Sequence, residues 1–164
     1  KRRGGTENVA GIAGFGKACE LAQKHLVSQE SSSLSSLREH FYKLISNQIS
    51  GVEIFGDLEN RLPNTLNLGF DEVEGDTLLI GLDMAGVAVS TGSACSSGSG
   101  LPSPVLTAMG IPLDKINSSI RFSFGWGNTL AEVEEAAKVL EETVLLNRVG
   151  FSKEMNNKKL MKSL

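Results

Sequence analysis

The sequence has 164 residues and a formal net charge of −3, with 19 acidic and 16 basic side chains. This length is enough for one hydrophobic core with appendages, and the mixed charges lack the basic surface that binding to nucleic acid requires. No apolar run approaches the ~20 residues that a membrane-spanning helix needs. We therefore expect neither nucleic acid nor a membrane among the partners.

The cysteines and histidines do not form a metal-binding or disulfide pattern. Cys19 and Cys95 are far apart and lack a CxxC spacing, which excludes a disulfide scaffold and a structural zinc site and favours a reducing cytosol. No metal-ligand spacing joins His25 and His40, so we expect both on helix surfaces. Cys19 is expected to be a small buried residue on an apolar helix face.

The first fifty residues predict two helices. Residues 8–27 carry apolar side chains at helical spacing, and their glycines allow close packing against another domain or subunit. The polar stretch 28–36 predicts a kink or a linker. Residues 34–49 then resume the helical period, and Gly51 ends it.

Short strands and helices are mixed in the rest of the sequence. The predicted elements are strands over 52–55 and 65–70, a helix over 74–84, a strand over 87–89, a short helix over 104–110, a strand over 119–124 and a helix over 129–147. Thr129 and Glu132 have capping-box spacing at the start of the last helix, against which we expect Trp126 to pack. The polar tail from Ser152 predicts a frayed segment or a weak helix. This mixture predicts a compact α+β domain.

Cys95 lies in the run VAVSTGSACSSGSGL, where a short apolar strand is followed by Gly, Ser, Thr and Ala. The glycines free the backbone and the small hydroxyl-bearing neighbours keep the sulfur solvated, which is typical of a movable nucleophile. A thiol reacts as the thiolate, and no Lys, Arg or His lies within several residues. Its activation must come from backbone N–H groups of the loop, or from a cofactor and bases elsewhere. The alternative is a flexible Gly/Ser linker that contains a cysteine.

Four motifs occur in a recognisable order: RRGGTEN, STGSACSSGS, PVLTAMG and SSIRFSFG, the last followed by a capped helix. Over residues 2–149 the chain resembles the C-terminal part of the NifS/IscS-type cysteine desulfurases, in the class V aminotransferase family of fold-type I pyridoxal phosphate enzymes. The resemblance implies a small C-terminal α+β domain, with a short, mostly antiparallel sheet and flanking helices. A long or kinked linking helix would precede this domain.

The resemblance also implies an activity and roles for three residues. The family converts L-cysteine to L-alanine and retains the sulfur as an enzyme persulfide, which Cys95 would carry. Arg121 would grip the substrate carboxylate through a bidentate guanidinium, although a strand-surface arginine in a salt bridge is the ordinary alternative. Thr6 would reach the cofactor phosphate of the other subunit of a homodimer. The ordinary interpretation is that Thr6 or Asn8 caps the following helix, and the two roles are compatible.

Some family features are missing or altered in this sequence. The cofactor lysine, the histidine that stacks on the cofactor and the acid that partners its pyridine nitrogen lie upstream in the family, so we expect this chain alone to be inactive. Gly100 and Leu101 replace a usual Leu-Glu pair, Pro104 replaces a commoner His or Tyr, and residues 126–128 replace an Arg-aromatic-Thr stretch. These changes bear on docking of the sulfur acceptor and on the loop rather than on Cys95.

Two hypotheses follow for the whole chain. In the first, it is a fragment of a cytoplasmic desulfurase: 1–50 form an interface motif and linking helices, 51–150 the small domain with the cysteine loop, and 151–164 a polar tail. Its partners would be L-cysteine, an upstream cofactor domain, a homodimer mate and an iron–sulfur scaffold or other sulfur acceptor, with Cys95 a transient cluster ligand. In the second, it is a stand-alone, non-catalytic module that carries or relays sulfur.

Overall fold

The computed structural model describes residues 4–27, 30–92 and 102–161, with side chains for 4–26, 33–92 and 102–150. The elements, in chain order, are α1 (Val9–Val27), α2 (Glu30–Gln48), β1 (Val52–Phe55), β2 (Thr65–Phe70), α3 (Gly75–Met84), α4 (Pro104–Ala108), α5 (Leu113–Asn117), β3 (Ser119–Ser123) and α6 (Leu130–Met161). The predicted α+β class is confirmed.

The sheet is antiparallel and has the order β1–β2–β3. Between β2 and β3, Leu66 lies opposite Phe122 and Leu68 lies opposite Ile120, and all four side chains are buried. Because successive residues of a strand point to opposite faces, this register gives the sheet one continuous apolar face.

Helices α2, α3 and α6 cover that apolar face and complete the core. Each contributes side chains with at most 1% of their surface exposed: Phe41 and Ile45 from α2, Leu78 and Leu82 from α3, and Leu140 and Val144 from α6. Burying a side chain of this size contributes about 1.5–3 kcal/mol, so these helices are fixed mainly by packing. On the opposite face α4 and α5 form a smaller cluster, in which Leu106 and Ile116 pack with Phe55 of β1.

The start of α6 is fixed by the predicted capping box. The backbone N–H of Thr129 donates to the Glu132 carboxylate at 2.8 Å, and the backbone N–H of Glu132 donates to the Thr129 hydroxyl at 3.3 Å. These bonds satisfy donors that a helix N-terminus otherwise leaves open. The bond that the Glu132 carboxylate accepts from the N–H of Thr129 holds the pKa of Glu132 below its ordinary value. At the other end α6 continues to Met161, so the tail from Ser152 is helical over its described length.

Three predictions about local structure need correction. Residues 87–89 do not form a strand, because Gly86 and Gly92 turn the chain on either side with φ of 84° and 66°, and only Ser90 forms a bridge, to Arg121. Of the stretch 28–36, which was predicted to be a kink or a linker, residues 30–36 are helical because α2 begins at Glu30, and residues 28–29 lie outside the described residues. Helix α5 was not predicted, because its five residues are too few for a visible period.

Helix α1 lies outside the core. Its apolar side chains Val9, Ile12 and Phe15 are each more than 60% exposed, and Cys19 is exposed as well, so the prediction of a buried Cys19 is wrong. The reason is that the apolar face of α1 meets little of the described chain beyond α2. Within residues 4–27, 30–92 and 102–161, no helix has the length and apolar character needed to cross a membrane.

The C-terminal turn of α1 is held by an aromatic contact. The ring of His25 stacks on that of Trp126, with centroids 3.9 Å apart and an angle of 21° between the planes. Trp126, which was expected to pack against the last helix, therefore contacts the first helix instead. This stack connects α1 to the turn between β3 and α6.

Candidate functional site

Arg121 lies in the middle of β3, on the face of the sheet opposite the main core. Its neighbours Ile120 and Phe122 point into the core and are buried. The backbone of Arg121 exchanges both of its hydrogen bonds with Ser90: the Arg121 N–H donates to the Ser90 carbonyl at 2.7 Å, and the Ser90 N–H donates to the Arg121 carbonyl at 3.2 Å. Segment 87–92 is therefore tied to β3 at this one residue.

Asn67 of β2 lies directly opposite Arg121 on the other side. Since the N–H and C=O of Arg121 both point toward Ser90, the Asn67–Arg121 pair is of the non-hydrogen-bonded kind, in which side chains of adjacent strands come closest. Phe55 of β1 is in turn opposite Asn67. Ser90, Arg121, Asn67 and Phe55 thus form one row across the sheet, called the cross-sheet row below.

The guanidinium of Arg121 is half-buried. Among the residues that the structure describes, its side chain has neither a hydrogen-bond nor an ion-pair partner, in contrast to Arg38, which donates to the carbonyl of Leu62 at 2.8 Å. Arg121 therefore does not form a salt bridge with any described residue, which was the ordinary alternative for this arginine. Its five N–H donors remain available to an anion, and their planar arrangement suits a carboxylate.

Asn67 has an equally unusual environment. Its Oδ1 is buried and accepts no hydrogen bond from the described residues. Leaving a buried acceptor without a donor costs about 1–3 kcal/mol, so such atoms are rare and often belong to binding sites. Sequence analysis missed Asn67. The available signal was a polar residue on the strand face opposite Leu66 and Leu68, but only the register shows that it faces Arg121.

Cys95 lies outside the described residues. Its roles as nucleophile and as cluster ligand therefore stay predictions. The residues on either side of segment 93–101 are described. A Cβ built on Gly92 would lie 3.3 Å from the Cβ of Ser103, so the chain leaves and re-enters the fold at one place. Ser103 is buried, and its hydroxyl caps α4 by accepting the N–H of Leu106 at 3.4 Å. The point of return is thus fixed to the fold.

An open groove of about 440 Å³ borders the segment that leads to Cys95. It lies between residues 85–89, the end of β3 and the first half of α6. Its walls are mainly apolar, including Val87, Val89, Phe122 and Val133, with Glu132 at its rim. Residues 87–89, over which a strand was predicted, form one wall of this groove.

Thr6 lies before the N-terminus of α1 and is exposed. The cap of α1 is Asn8, whose Oδ1 accepts the N–H of Gly11 at 3.0 Å, so of the two capping residues considered from the sequence Asn8 is the one observed. Seventeen residues separate Asn8 from His25, about 26 Å along a helix. Thr6 is therefore at the far end of α1 from the contact with Trp126, and the structure does not join it to the cross-sheet row.

No cluster of three or more His, Cys, Asp or Glu side chains suited to a metal ion occurs among the described residues. His40 instead pairs with Glu134 at 3.2 Å between α2 and α6. Among the described residues, the side chains of Arg121 and Asn67 that lack partners lie opposite each other in the cross-sheet row, next to Ser90.

Comparison with known proteins finds relatives that match most of this chain. The chain is 46% identical over 143 residues to the cysteine desulfurase IscS of Dictyoglomus turgidum, which covers 87% of this chain and 36% of that protein. A cysteine desulfurase of Gluconacetobacter diazotrophicus is 45% identical over 139 residues, covering 85% of this chain and 34% of the relative. Among solved structures, a NifS-like protein matches with a TM-score of 0.76 and 34% identity, over 88% of this chain and 36% of that one.

These matches show to which family the chain belongs and how much of its relatives' length it covers. The chain spans little more than a third of the length of these relatives. The predicted resemblance to NifS/IscS-type proteins is confirmed, as is the α+β fold of part of a fold-type I enzyme. Since the family model for class-V aminotransferases, which are pyridoxal phosphate enzymes, matches residues 1–136, this chain belongs to the class-V aminotransferase family.

Proposed function

We propose that this chain is the C-terminal portion of a cysteine desulfurase, which converts L-cysteine to L-alanine and retains the sulfur as a persulfide on Cys95. The observation that carries this proposal is the half-buried side chain of Arg121, whose guanidinium has no partner among the described residues. Arg121 lies on a rigid strand, and its backbone is hydrogen-bonded to Ser90, which precedes the cysteine segment. The desulfurases that the chain matches at about 45% identity support the same activity.

Arg121 would bind the α-carboxylate of L-cysteine. Two parallel N–H donors of a guanidinium match the two oxygens of a carboxylate, which fixes both the position and the orientation of the amino acid. The strand around Arg121 is held by buried neighbours on one face and by backbone bonds to β2 and Ser90, so the fork is presented from a rigid base. Such positioning lowers the barrier by holding the reacting atoms in place.

Cys95 would be the nucleophile. Five residues connect it to Ser90, a tether of at most ~18 Å, which keeps the thiol near a substrate held by Arg121. The thiolate would attack the substrate sulfur, forming an S–S bond as the C–S bond breaks, and protonation of the substrate carbon would release L-alanine. In the balanced reaction, the enzyme thiol and L-cysteine give the enzyme persulfide and L-alanine.

Pyridoxal phosphate would supply the electron sink that weakens the C–S bond. Thr6 fits its phosphate, because an exposed hydroxyl beside the N-terminus of α1 offers donors to an anion. As part of the same proposal, the cofactor lysine, the stacking histidine and the acid for the pyridine nitrogen come from an upstream domain, so these 164 residues are inactive alone. A homodimer mate would bind the cofactor that Thr6 contacts.

The sulfur would pass from Cys95 to an iron–sulfur scaffold or another acceptor protein in the cytoplasm, and Cys95 would be a transient cluster ligand during that transfer. The exposed apolar face of α1 supports a part of a larger protein over a stand-alone sulfur-carrying module, because a face with Val9, Ile12 and Phe15 exposed needs a partner. An intact mass of the protein purified from its source distinguishes these two: the proposal requires an upstream segment about twice this length.

The activity itself is tested with two substitutions in the natural full-length protein with its cofactor. Cys95→Ser should abolish sulfide release and persulfide formation while leaving the cofactor absorbance intact. Arg121→Lys should raise the KM for L-cysteine at least tenfold, because Lys retains the charge but not the bidentate fork. Normal turnover by the Cys95→Ser variant, or an unchanged KM in Arg121→Lys, would refute the assignment of that residue.

A further inference from the structure

Asn67 lies next to Arg121 in the cross-sheet row, and its position relative to Arg121 carries an inference about specificity. Both residues lie on the same face of β2 and β3 and form a non-hydrogen-bonded pair. In such pairs the Cβ atoms are about 4.5–5.5 Å apart. The Arg121 Nε is three bonds beyond its Cβ and the Asn67 Oδ1 two bonds beyond its own, so the two atoms can reach the ~2.9 Å of a hydrogen bond.

The hydrogen-bonding needs of the two side chains are complementary. Asn67 has a buried Oδ1 that accepts no bond from the described part of the chain, and Arg121 has five N–H donors that this part leaves unpaired. A carboxylate bound in bidentate fashion takes two of the five donors. The remaining N–H donors of Arg121 need acceptors once substrate has excluded water. The side chain of Asn67, directly opposite on β2, supplies one.

We infer that Asn67 is a positioning residue for the substrate carboxylate: its Oδ1 accepts a hydrogen bond from the Arg121 guanidinium and holds the fork in the orientation that the carboxylate requires. This inference rests on the proposed function, since it assigns the orientation of the same arginine. It extends that proposal by making selectivity for α-carboxylates a property of two strands, β2 and β3, rather than of one side chain.

The matched substitutions are Asn67→Ala, which removes the acceptor, and Asn67→Asp, which keeps the shape but adds a carboxylate. In the full-length protein with its cofactor, L-alanine is the ligand, because it carries the carboxylate and is not turned over. Calorimetry should show about tenfold weaker binding in Asn67→Ala, which corresponds to ~1.4 kcal/mol. Asn67→Asp should bind more weakly still, because its carboxylate occupies the guanidinium. A purely structural role predicts the opposite order, since Asp is the closer isostere.

Thr65→Ala is the control, because Thr65 lies on the same face of β2, two residues away and opposite Ser123. It should bind L-alanine as the wild type does. Asn67→Ala should not lower the melting temperature, since it removes a buried acceptor without a donor rather than a satisfied one. For L-cysteine turnover, the loss should appear in KM with kcat within about twofold, as expected for binding made equally in ground and transition states.

A double-mutant cycle completes the test. In an Arg121→Ala background, Asn67→Ala should change L-alanine binding by less than about twofold, because its effect acts through the guanidinium. Additive losses, wild-type binding by Asn67→Ala, or weaker binding by Asn67→Ala than by Asn67→Asp would each overturn the inference. If Arg121→Ala weakens L-alanine binding while Asn67→Ala does not, only the role of Asn67 fails. If Arg121→Ala has no effect either, the proposed function fails with it.

Discussion

Gly75, the first residue of α3, packs directly on the backbone before β3. A Cβ added there would lie 2.5 Å from the carbonyl oxygen of Asn117 and 3.5 Å from that of Ser119. The closest of these is a backbone atom, so it cannot be displaced by a side-chain rotation. Because Cβ contacts under 3.0 Å are essentially not observed, Gly75→Ala must move α3 or the turn before β3 by at least about half an ångström.

Overpacking of this kind costs about 1–3 kcal/mol, while Ala is favoured over Gly in helices by up to ~1 kcal/mol. We therefore expect a net loss of about 1–2 kcal/mol for Gly75→Ala in urea unfolding followed by circular dichroism. The displaced segment leads into β3, so under the proposed function L-cysteine turnover by the full-length protein with its cofactor should fall as Arg121 shifts.

Gly81→Ala is the matched control on the same helix. Its added Cβ would meet only the Cγ2 of Thr143, at 2.6 Å, which is a side-chain atom and not a backbone atom. Turning this side chain away puts at risk one hydrogen bond, which the Thr143 hydroxyl donates to the Val139 carbonyl at 2.7 Å. The control should cost less than Gly75→Ala and should leave turnover unchanged. Equal losses of stability in the two variants, or wild-type stability in Gly75→Ala, would refute the steric argument.

Two further predictions concern the start of α6 and the last turn of α1. Glu132→Ala should destabilise the protein above about pH 4.5, and its difference from the wild type should disappear as the pH falls further. The reason is that the N–H of Thr129 lowers the folded pKa of Glu132 below the unfolded value of 4.5, so its contribution is lost on acidification through the folded pKa. Urea titrations from pH 7 to pH 3 check this. His25→Ala and Trp126→Ala should each remove a ring pair worth ~0.5–1.5 kcal/mol and speed amide hydrogen exchange in the last turn of α1. Unchanged exchange in both would contradict a role for the stack in holding that turn.

Elements with a strong local signal were predictable from the sequence. The alternation of Leu66, Leu68 and Phe70 predicted β2 over its observed range, and the spacing of Thr129 and Glu132 predicted the capping box that is observed. In both places the local preference and the burial in the fold agree, which is why a single sequence was sufficient.

Features that depend on distant parts of the chain were not predictable. The apolar residues 87–89 resemble a strand, but a strand needs a partner edge along its length. Between two glycine turns, Ser90 is the one described residue of this segment whose backbone pairs with β3. Cys19 was expected to be buried because α1 is apolar, yet burial requires a facing surface. The pairing of Asn67 with Arg121 depends on a register between strands separated by about fifty residues, which no local pattern encodes.

The near meeting of Gly92 and Ser103 has a consequence for how this protein can diversify. Because the two ends of segment 93–101 are held side by side, the number of residues between them does not affect the distances among the strands and helices. The length of this segment can therefore vary. Closing a loop of twice the length costs only about 0.6 kcal/mol more. Insertions between these two anchors therefore carry almost no thermodynamic penalty, and the sheet and its arginine stay unchanged.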